Sequence, residues 1–357
     1  MHSGDRQKVQ IIAEIGVNHD GSLERALEMA RVARDCGADT VKFQLFRPEN
    51  LATDCAPLAD YQRRAVNGSQ IEMLRSLALE GSELRTLQEA CRAMGVEFLC
   101  SPFDLESLHF LVSDLCVDSV KIASGELTNG PLLWKAARSG ATLLLSTGMS
   151  TPDEIEEALG VIVLGRGGEI PSGRSMLRSA WRDRSEEVAG VCLLHCTTEY
   201  PCPDAEANLR AITTLRDLFG LPVGFSDHTA GWELPLAAVA LGAVVVEKHF
   251  TLDRRAAGPD HAASLEPADF ARMVEGIRRM EVALGFEEKR PTPSELANRD
   301  VARKSLVAGK DIRAGEPFGE DNLAAKRPGS GCSPMEYWDV LGQPAGRNYR
   351  RDEGIAG

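Results

Sequence analysis

Up to about residue 283 the chain alternates short apolar runs with longer stretches in which apolar residues recur every three or four positions. The runs of strand length are Val9–Gly16, Thr40–Phe46, Glu97–Phe103, Asp118–Ser124, Thr142–Thr147, Val191–Cys196, Pro222–Asp227 and Ala243–Phe250. Several, such as "TLLLST" and "VCLLHC", are nearly continuous, as in parallel strands covered on both faces. The segments between them read as helices. "SLERALEMARVARDCG" opens on a serine cap and stops at Gly37. "STPDEIEEALGVIV" has Ser150 or Thr151 as its cap, then a proline and acids in its first turn. Eight strand–helix units in roughly 275 residues predict a (β/α)₈ (TIM) barrel. A doubly wound open sheet is the alternative, but the first turn, "EIGVNHDGS", lacks its G-x-G-x-x-G fingerprint.

Two regions depart from this rhythm. The stretch from Gly165 to Gly190 is rich in Gly, Arg and Ser and weakly periodic, so a disordered or irregular surface excursion is expected. It precedes the sixth strand, at the end of the barrel away from any active site. After Gly285 the texture changes. The expected organisation is a barrel over 1–284, a proline-bearing linker over 285–299, and a small β-rich domain over 300–357.

Composition narrows the function classes. The chain has 357 residues and a net charge of −13, which argues against a nucleic-acid or anionic-membrane surface but not against a local cationic pocket. No run is long enough to span a bilayer, and the polar opening "MHSGDRQKVQ" lacks the apolar core of a signal peptide. The nine cysteines form no C-x-x-C pair, so reduced thiols in the cytoplasm are expected.

Barrel active sites lie at the C-terminal ends of the strands. Polar groups gather there on every strand: Glu14, Asn18 and His19; Lys42 and Gln44; Ser101; Lys121, Ser124 and Glu126; Ser146; His195, Thr198 and Tyr200; Ser226 and His228; Glu247 and His249. Alternation puts Lys42 and Gln44 on one face of their strand and Val41, Phe43 and Leu45 on the other. A buried ammonium needs an anionic partner. Lys42 and Lys121 therefore either pair with a barrel carboxylate such as Glu14 or, with the strand-end serines, cradle a phosphate or carboxylate. His228 and His249, at the ends of neighbouring strands, are either hydrogen-bonded structural residues or ligands of a divalent metal. Glu126 suits a general acid/base and equally a helix N-terminal acid. Tyr200 and Asp260 are loop groups suited to a hydroxylated substrate.

The motifs "AEIGVNHDGS", "TVKFQ", "FLCSPFD", "KIASGELTN", "LSTGMST", "LHCTTEYP", "GFSDHT", "EKHFTLD" and "GPDHAASLEP", in this order, resemble the sialic acid (nonulosonate) synthase family. "ARKSLVAGKDIRAGEPF" and "KRPGSG" resemble its antifreeze-like (SAF) domain. The resemblance implies a barrel followed by an SAF domain that closes the partner's site in a swapped homodimer. It implies condensation of phosphoenolpyruvate with an N-acetylated mannosamine-type sugar and release of phosphate. It makes His228 and His249 the ligands of a divalent metal, Mn²⁺ first, with Mg²⁺ or Co²⁺ as alternatives. Lys42, Ser101, Lys121, Ser146 and Ser226 become the phosphoenolpyruvate cradle, with Glu14, Ser124 and Thr198 beside it. Glu126 becomes the acid/base, with Lys121 as a second catalytic group. Gln44, Tyr200 and Asp260 become sugar contacts, and Arg327 the residue that reaches across the dimer. N-acetylmannosamine is the expected acceptor. The alternatives are 2,4-diacetamido-2,4,6-trideoxymannose, giving legionaminic acid, and a non-catalytic sugar-binding protein.

Overall fold

The computed structural model describes residues 8–53, 55–59, 63, 69–329 and 331–356. Most of the polar opening segment and Ser330 of "KRPGSG" lie outside the described residues. The chain divides into two compact units, Met1–Gly285 and Phe286–Gly357.

The larger unit is built on eight parallel strands: β1 (Gln10–Gly16), β2 (Thr40–Leu45), β3 (Glu97–Pro102), β4 (Ser119–Ile122), β5 (Thr142–Ser146), β6 (Val191–Cys196), β7 (Val223–Asp227) and β8 (Val245–His249). They run in the order β3-β2-β1-β8-β7-β6-β5-β4. β3 and β4, at the two ends of this order, lie against each other, so the sheet curls into a nearly closed TIM barrel.

The period-two alternation of each strand divides its residues between two environments. Outward-facing Ile11, Ala13, Ile15, Val41 and Phe43 pack under the surrounding helices on one side of the barrel. Val120, Leu143, Leu145, Leu193 and Phe225 do so on the other. Inside, Ile12, Leu99, Leu144, Leu194 and Val245 fill the lower barrel. Two residues further along the same inward faces stand Glu14, Ser101, Ser146, Cys196 and Glu247, so the interior turns polar within one layer. Register completes the arrangement: Glu14 lies beside Lys42 on β2 and His249 on β8, and Ser226 beside Glu247.

The stretch between Gly165 and Gly190 is not an irregular excursion. The helix Pro152–Gly167, capped by Thr151, runs into it and stops at Gly168 in a left-handed turn. A second helix follows at Arg174–Arg184 and buries Ala180 and Trp181. The two helices touch closely: a Cβ on Gly160 would stand 2.0 Å from the Leu177 carbonyl oxygen. Trp181 meets Phe219 with ring centroids 6.1 Å apart. Outside this seam, Arg174 and Arg178 pair with Glu157, and Arg182 with Glu156. The short apolar stripe and the many arginines hid the helical period; the arginines serve as cross-helix partners.

The smaller unit holds an antiparallel pair, β9 (Ser305–Ala308) and β10 (Leu323–Lys326), over a core of Leu306, Ile312, Phe318, Tyr349 and Ile355. Helix Pro293–Ala302, capped by Thr292, occupies part of the segment read as a linker and buries none of its residues.

Trp181→Ala removes the anchor of the helix Arg174–Arg184 and should lower unfolding free energy by about 3 kcal/mol, measured by chemical denaturation. A loss under about 0.5 kcal/mol, typical of surface sites, would mean the helix is not docked as described.

Candidate active site

A cleft of about 450 Å³ opens at the C-terminal end of the barrel. Glu14, Lys42, Gln44, Ser101, Lys121, Ser124, Glu126, Ser146, Thr198, Tyr200, Ser226, His228, His249 and Asp260 all line it. Arg327 lies in the smaller unit, just after β10.

The floor is a closed set of charges. Lys121 Nζ donates to both carboxylate oxygens of Glu247, at 2.9 and 3.1 Å. Lys42 Nζ sits 3.0 Å from Glu247 and 3.1 Å from Glu14. Ser226 Oγ donates to Glu247 at 2.8 Å, and Gln44 Nε2 to Glu14 at 2.7 Å. Two cations therefore face two anions. Both lysines pair with barrel carboxylates, and in that same position they border the cleft. Burial opposes the charge on Lys42, but Glu14 and Glu247 outweigh it and hold its pKa above the ordinary lysine value. Burial, reinforced by Lys42, leaves Lys121 below it despite Glu247. Burial raises the Glu14 carboxyl, with Glu247 adding to the effect, whereas Lys121 and Lys42 overcome burial at Glu247 and keep it ionised. Gly16 makes room for this set: its φ is +53°, and a Cβ there would stand 2.7 Å from Glu14 Oε1.

Glu247 is the strand-end group to which the sequence reading assigned no role. The signal was present in "EKHF". Alternation places Glu247 and His249 inward on β8 and Lys248 outward. Lys248, fully buried on the outer face, donates to Asp227 and to the Thr229 carbonyl, each at 2.6 Å. This pair ties the ends of β7 and β8, the strands that carry the two histidines.

His228 Nδ1 donates to the Thr197 carbonyl at 2.6 Å, because a carbonyl can only accept. Its Nε2 therefore carries a lone pair. Burial pushes its pKa down to about 4 and keeps the ring neutral. His249 is driven well below its usual value, by burial first and by the charge that His228 would carry second. Its Nδ1 has no hydrogen-bond partner and lies 3.6 Å from Asp260 Oδ2. The two rings meet edge to face at 5.4 Å, and Tyr200 covers His228 at 4.2 Å. Two neutral imidazoles, one with its other nitrogen committed to a carbonyl and one with an orphaned buried nitrogen, fit a borderline divalent cation. Among the described residues no group of three or more His, Cys, Asp or Glu is arranged for a metal, so further ligands would come from substrate or water.

Other buried polar atoms await partners at the same cleft. Ser101 Oγ and Thr198 Oγ1 make no hydrogen bond, and such groups are otherwise rare in folded proteins. Thr198 and Ser124 crowd Gly148, where a Cβ would stand 2.4 Å from Thr198 Oγ1 and 2.7 Å from Ser124 Oγ. Ser124 Oγ accepts the Gly148 N–H at 3.1 Å. Glu126 accepts from Asn129 Nδ2 at 2.7 Å, yet burial raises its pKa, so it holds a proton more readily than an ordinary glutamate. Burial, aided by the Glu14 charge, raises Asp260 to about 7.

Two histidines stand apart. His195 points outward, stacks on Phe225 at 5.9 Å and donates Nε2 to the Ala207 carbonyl at 2.8 Å. His19 is buried beneath the β1 loop, where its Nδ1 accepts the Gly21 N–H at 3.1 Å.

The sequence model of the NeuB family matches residues 29–289, and that of the SAF domain matches residues 303–357. The N,N'-diacetyllegionaminic acid synthase of Campylobacter jejuni is 44% identical over 97% of this chain and 98% of its own length. This chain belongs to the NeuB family. The N,N'-diacetyllegionaminic acid synthase of Legionella pneumophila is 38% identical over 95% of this chain and 90% of its own length. A crystal structure of the N-acetylneuraminic acid synthetase of Leptospira borgpetersenii matches with a TM-score of 0.69 and 32% identity. That match covers 84% of this chain and 94% of the other. The smaller unit of this NeuB-family enzyme contains its SAF domain.

Asp227→Asn leaves the buried Lys248 ammonium without its countercharge, and the NeuB-family barrel should lose about 3–5 kcal/mol of stability by chemical denaturation. Replacing both partners by leucine and methionine should cost markedly less. Equal losses from the single and double changes would show that the charge pairing is not what ties β7 to β8.

Proposed function

We propose that this enzyme condenses phosphoenolpyruvate with 2,4-diacetamido-2,4,6-trideoxymannose to give N,N'-diacetyllegionaminic acid and phosphate. The observation that carries the chemistry is the cleft floor, where Lys42 and Lys121 meet Glu247 beside orphaned serine and threonine hydroxyls. Paired ammonium groups and free hydroxyl donors suit a small phosphorylated carboxylate. The acceptor expected from sequence alone, N-acetylmannosamine, gives way because the two relatives of higher identity above both carry the legionaminic name. The Leptospira neuraminic synthetase is the more distant, at 32%.

Lys42, Lys121, Ser101, Ser146 and Ser226 hold the donor's phosphate and carboxylate. Gln44, Tyr200 and Asp260 hold acceptor hydroxyls. His228 and His249 would hold a divalent cation, Mn²⁺ first, with Mg²⁺ or Co²⁺ as alternatives, and its chemistry there is polarisation of the acceptor's aldehyde oxygen. C3 of phosphoenolpyruvate forms a bond to the aldehyde carbon, which leaves a cation at C2. Water adds at C2. One of its protons ends on the former aldehyde oxygen and the other on the departing phosphate, as the C2–O bond breaks and a ketone forms. Glu126, with its raised pKa, is the relay for the protons that leave the water. Arg327, exposed in the SAF domain, is the residue the family resemblance sends into a neighbouring copy's site in a swapped homodimer. Nine free thiols suit a reducing cytoplasm.

Phosphate release is measured with phosphoenolpyruvate and each sugar, and the product is weighed by mass spectrometry. Turnover should be fastest with the trideoxy sugar, cease in excess EDTA and return with Mn²⁺. Preference for N-acetylmannosamine would overturn the acceptor, and full activity in EDTA would overturn the metal.

A further inference from the structure

The charged floor does not account for the whole cleft. Its wall on the β1–β3 side is formed by Val17, Phe46, Met73, Leu74, Leu77 and Phe103. Val17 follows β1, Phe46 follows β2 and Phe103 follows β3; the other three lie on helix Gln70–Leu77. That helix starts on a Ser69–Glu72 capping box, which fixes its entry. Phe46 and Phe103 meet edge to face at 6.2 Å and support it from below. Met73, Leu74 and Leu77 share one helix face, and each is nearly buried while still bordering the cleft.

Such a wall is a poor neighbour for a sugar hydroxyl. Gln70, at the start of the helix, also lines the cleft, but a hydroxyl set against Met73, Leu74 and Leu77 surrenders its water and finds no partner from them, whereas a methyl group gains burial. The donor's anionic groups belong at the lysines, and the acceptor's aldehyde carbon must lie over the donor, beside the histidines of β7 and β8. The rest of the open-chain sugar then extends across the cleft, and its far end meets the wall on the β1–β3 side. We propose that Met73, Leu74 and Leu77 form a subsite for the C6 methyl group of the acceptor and so select a 6-deoxy sugar over one with a 6-hydroxyl. This rests on the diacetamido-sugar reading above and adds to it the residues that make the selection.

The test uses two acceptors that differ by one oxygen: 2,4-diacetamido-2,4,6-trideoxymannose and 2,4-diacetamido-2,4-dideoxymannose. The wild-type enzyme should show roughly 10- to 100-fold lower kcat/KM with the second. Met73→Gln keeps the side-chain length and adds an amide. It should narrow that gap by about an order of magnitude while the KM for phosphoenolpyruvate stays unchanged. Met73→Leu, which keeps an apolar surface, should retain the wild-type ratio. Equal use of both sugars by the wild type overturns the subsite whether or not the variants fold. An unchanged ratio in folded Met73→Gln and Leu74→Gln does so as well. Turnover of N-acetylmannosamine with neither diacetamido sugar accepted is a different result: it removes the acceptor assignment on which the subsite rests.

Discussion

Glu247 holds two ammonium groups at once, and the interior of the barrel depends on that bridge. A lone lysine in this position would cost several kcal/mol to keep charged, or would lose its proton. With Glu247 between them and Glu14 beside Lys42, both lysines stay inside the barrel in a fixed arrangement. The arrangement is neutral as it stands. Burial and the Glu247 charge raise the Glu14 carboxyl above its ordinary value, while burial lowers Lys121. A neutral lattice of this kind keeps the fold intact without ligand, and it keeps donors in place for an anion that brings more charge than it displaces.

The same alternation that builds the floor separates its structural supports from its chemistry. On β8 the inward residues are Glu247 and His249, while Lys248 between them turns outward to Asp227. On β7, Ser226 faces inward to Glu247 and Asp227 faces outward. One buried ion pair outside the barrel therefore locks the register of the two strands whose inner faces carry the histidines. The cleft above is divided as well: charged and hydroxyl groups on the floor and at the strand ends, apolar side chains on the β1–β3 side. That division suits the two substrates proposed, an anionic donor on the floor and an acceptor whose deoxygenated end meets the apolar side.

Much of this was legible in the sequence. Strand positions followed from apolar runs, and alternation placed Lys42 and Gln44 on one face, opposite Val41 and Phe43. Most of the polar residues at strand ends converge on one cleft, whereas Asn18, His19 and His195 do not line it. What was not legible depended on contacts across the fold. Nothing in one strand reveals that Glu247 lies within reach of lysines on β2 and β4. His195 and His228 look alike in sequence, each beside a strand end, yet one residue of phase on β6 turns His195 away from the cleft. The helix at Arg174–Arg184 was read as irregular because its apolar stripe is short. Its stability comes from the seam at Gly160 and Trp181, which only packing shows.

The central claim is that the paired lysines of the floor receive the anionic donor. Titration calorimetry of phosphoenolpyruvate into the wild type and Lys121→Met tests it directly. Glu247 keeps Lys42 and Ser226 as partners in the variant, so the fold should persist. The account predicts binding weakened roughly 100-fold, as for loss of a buried charged partner. Wild-type affinity in a folded Lys121→Met enzyme would contradict it.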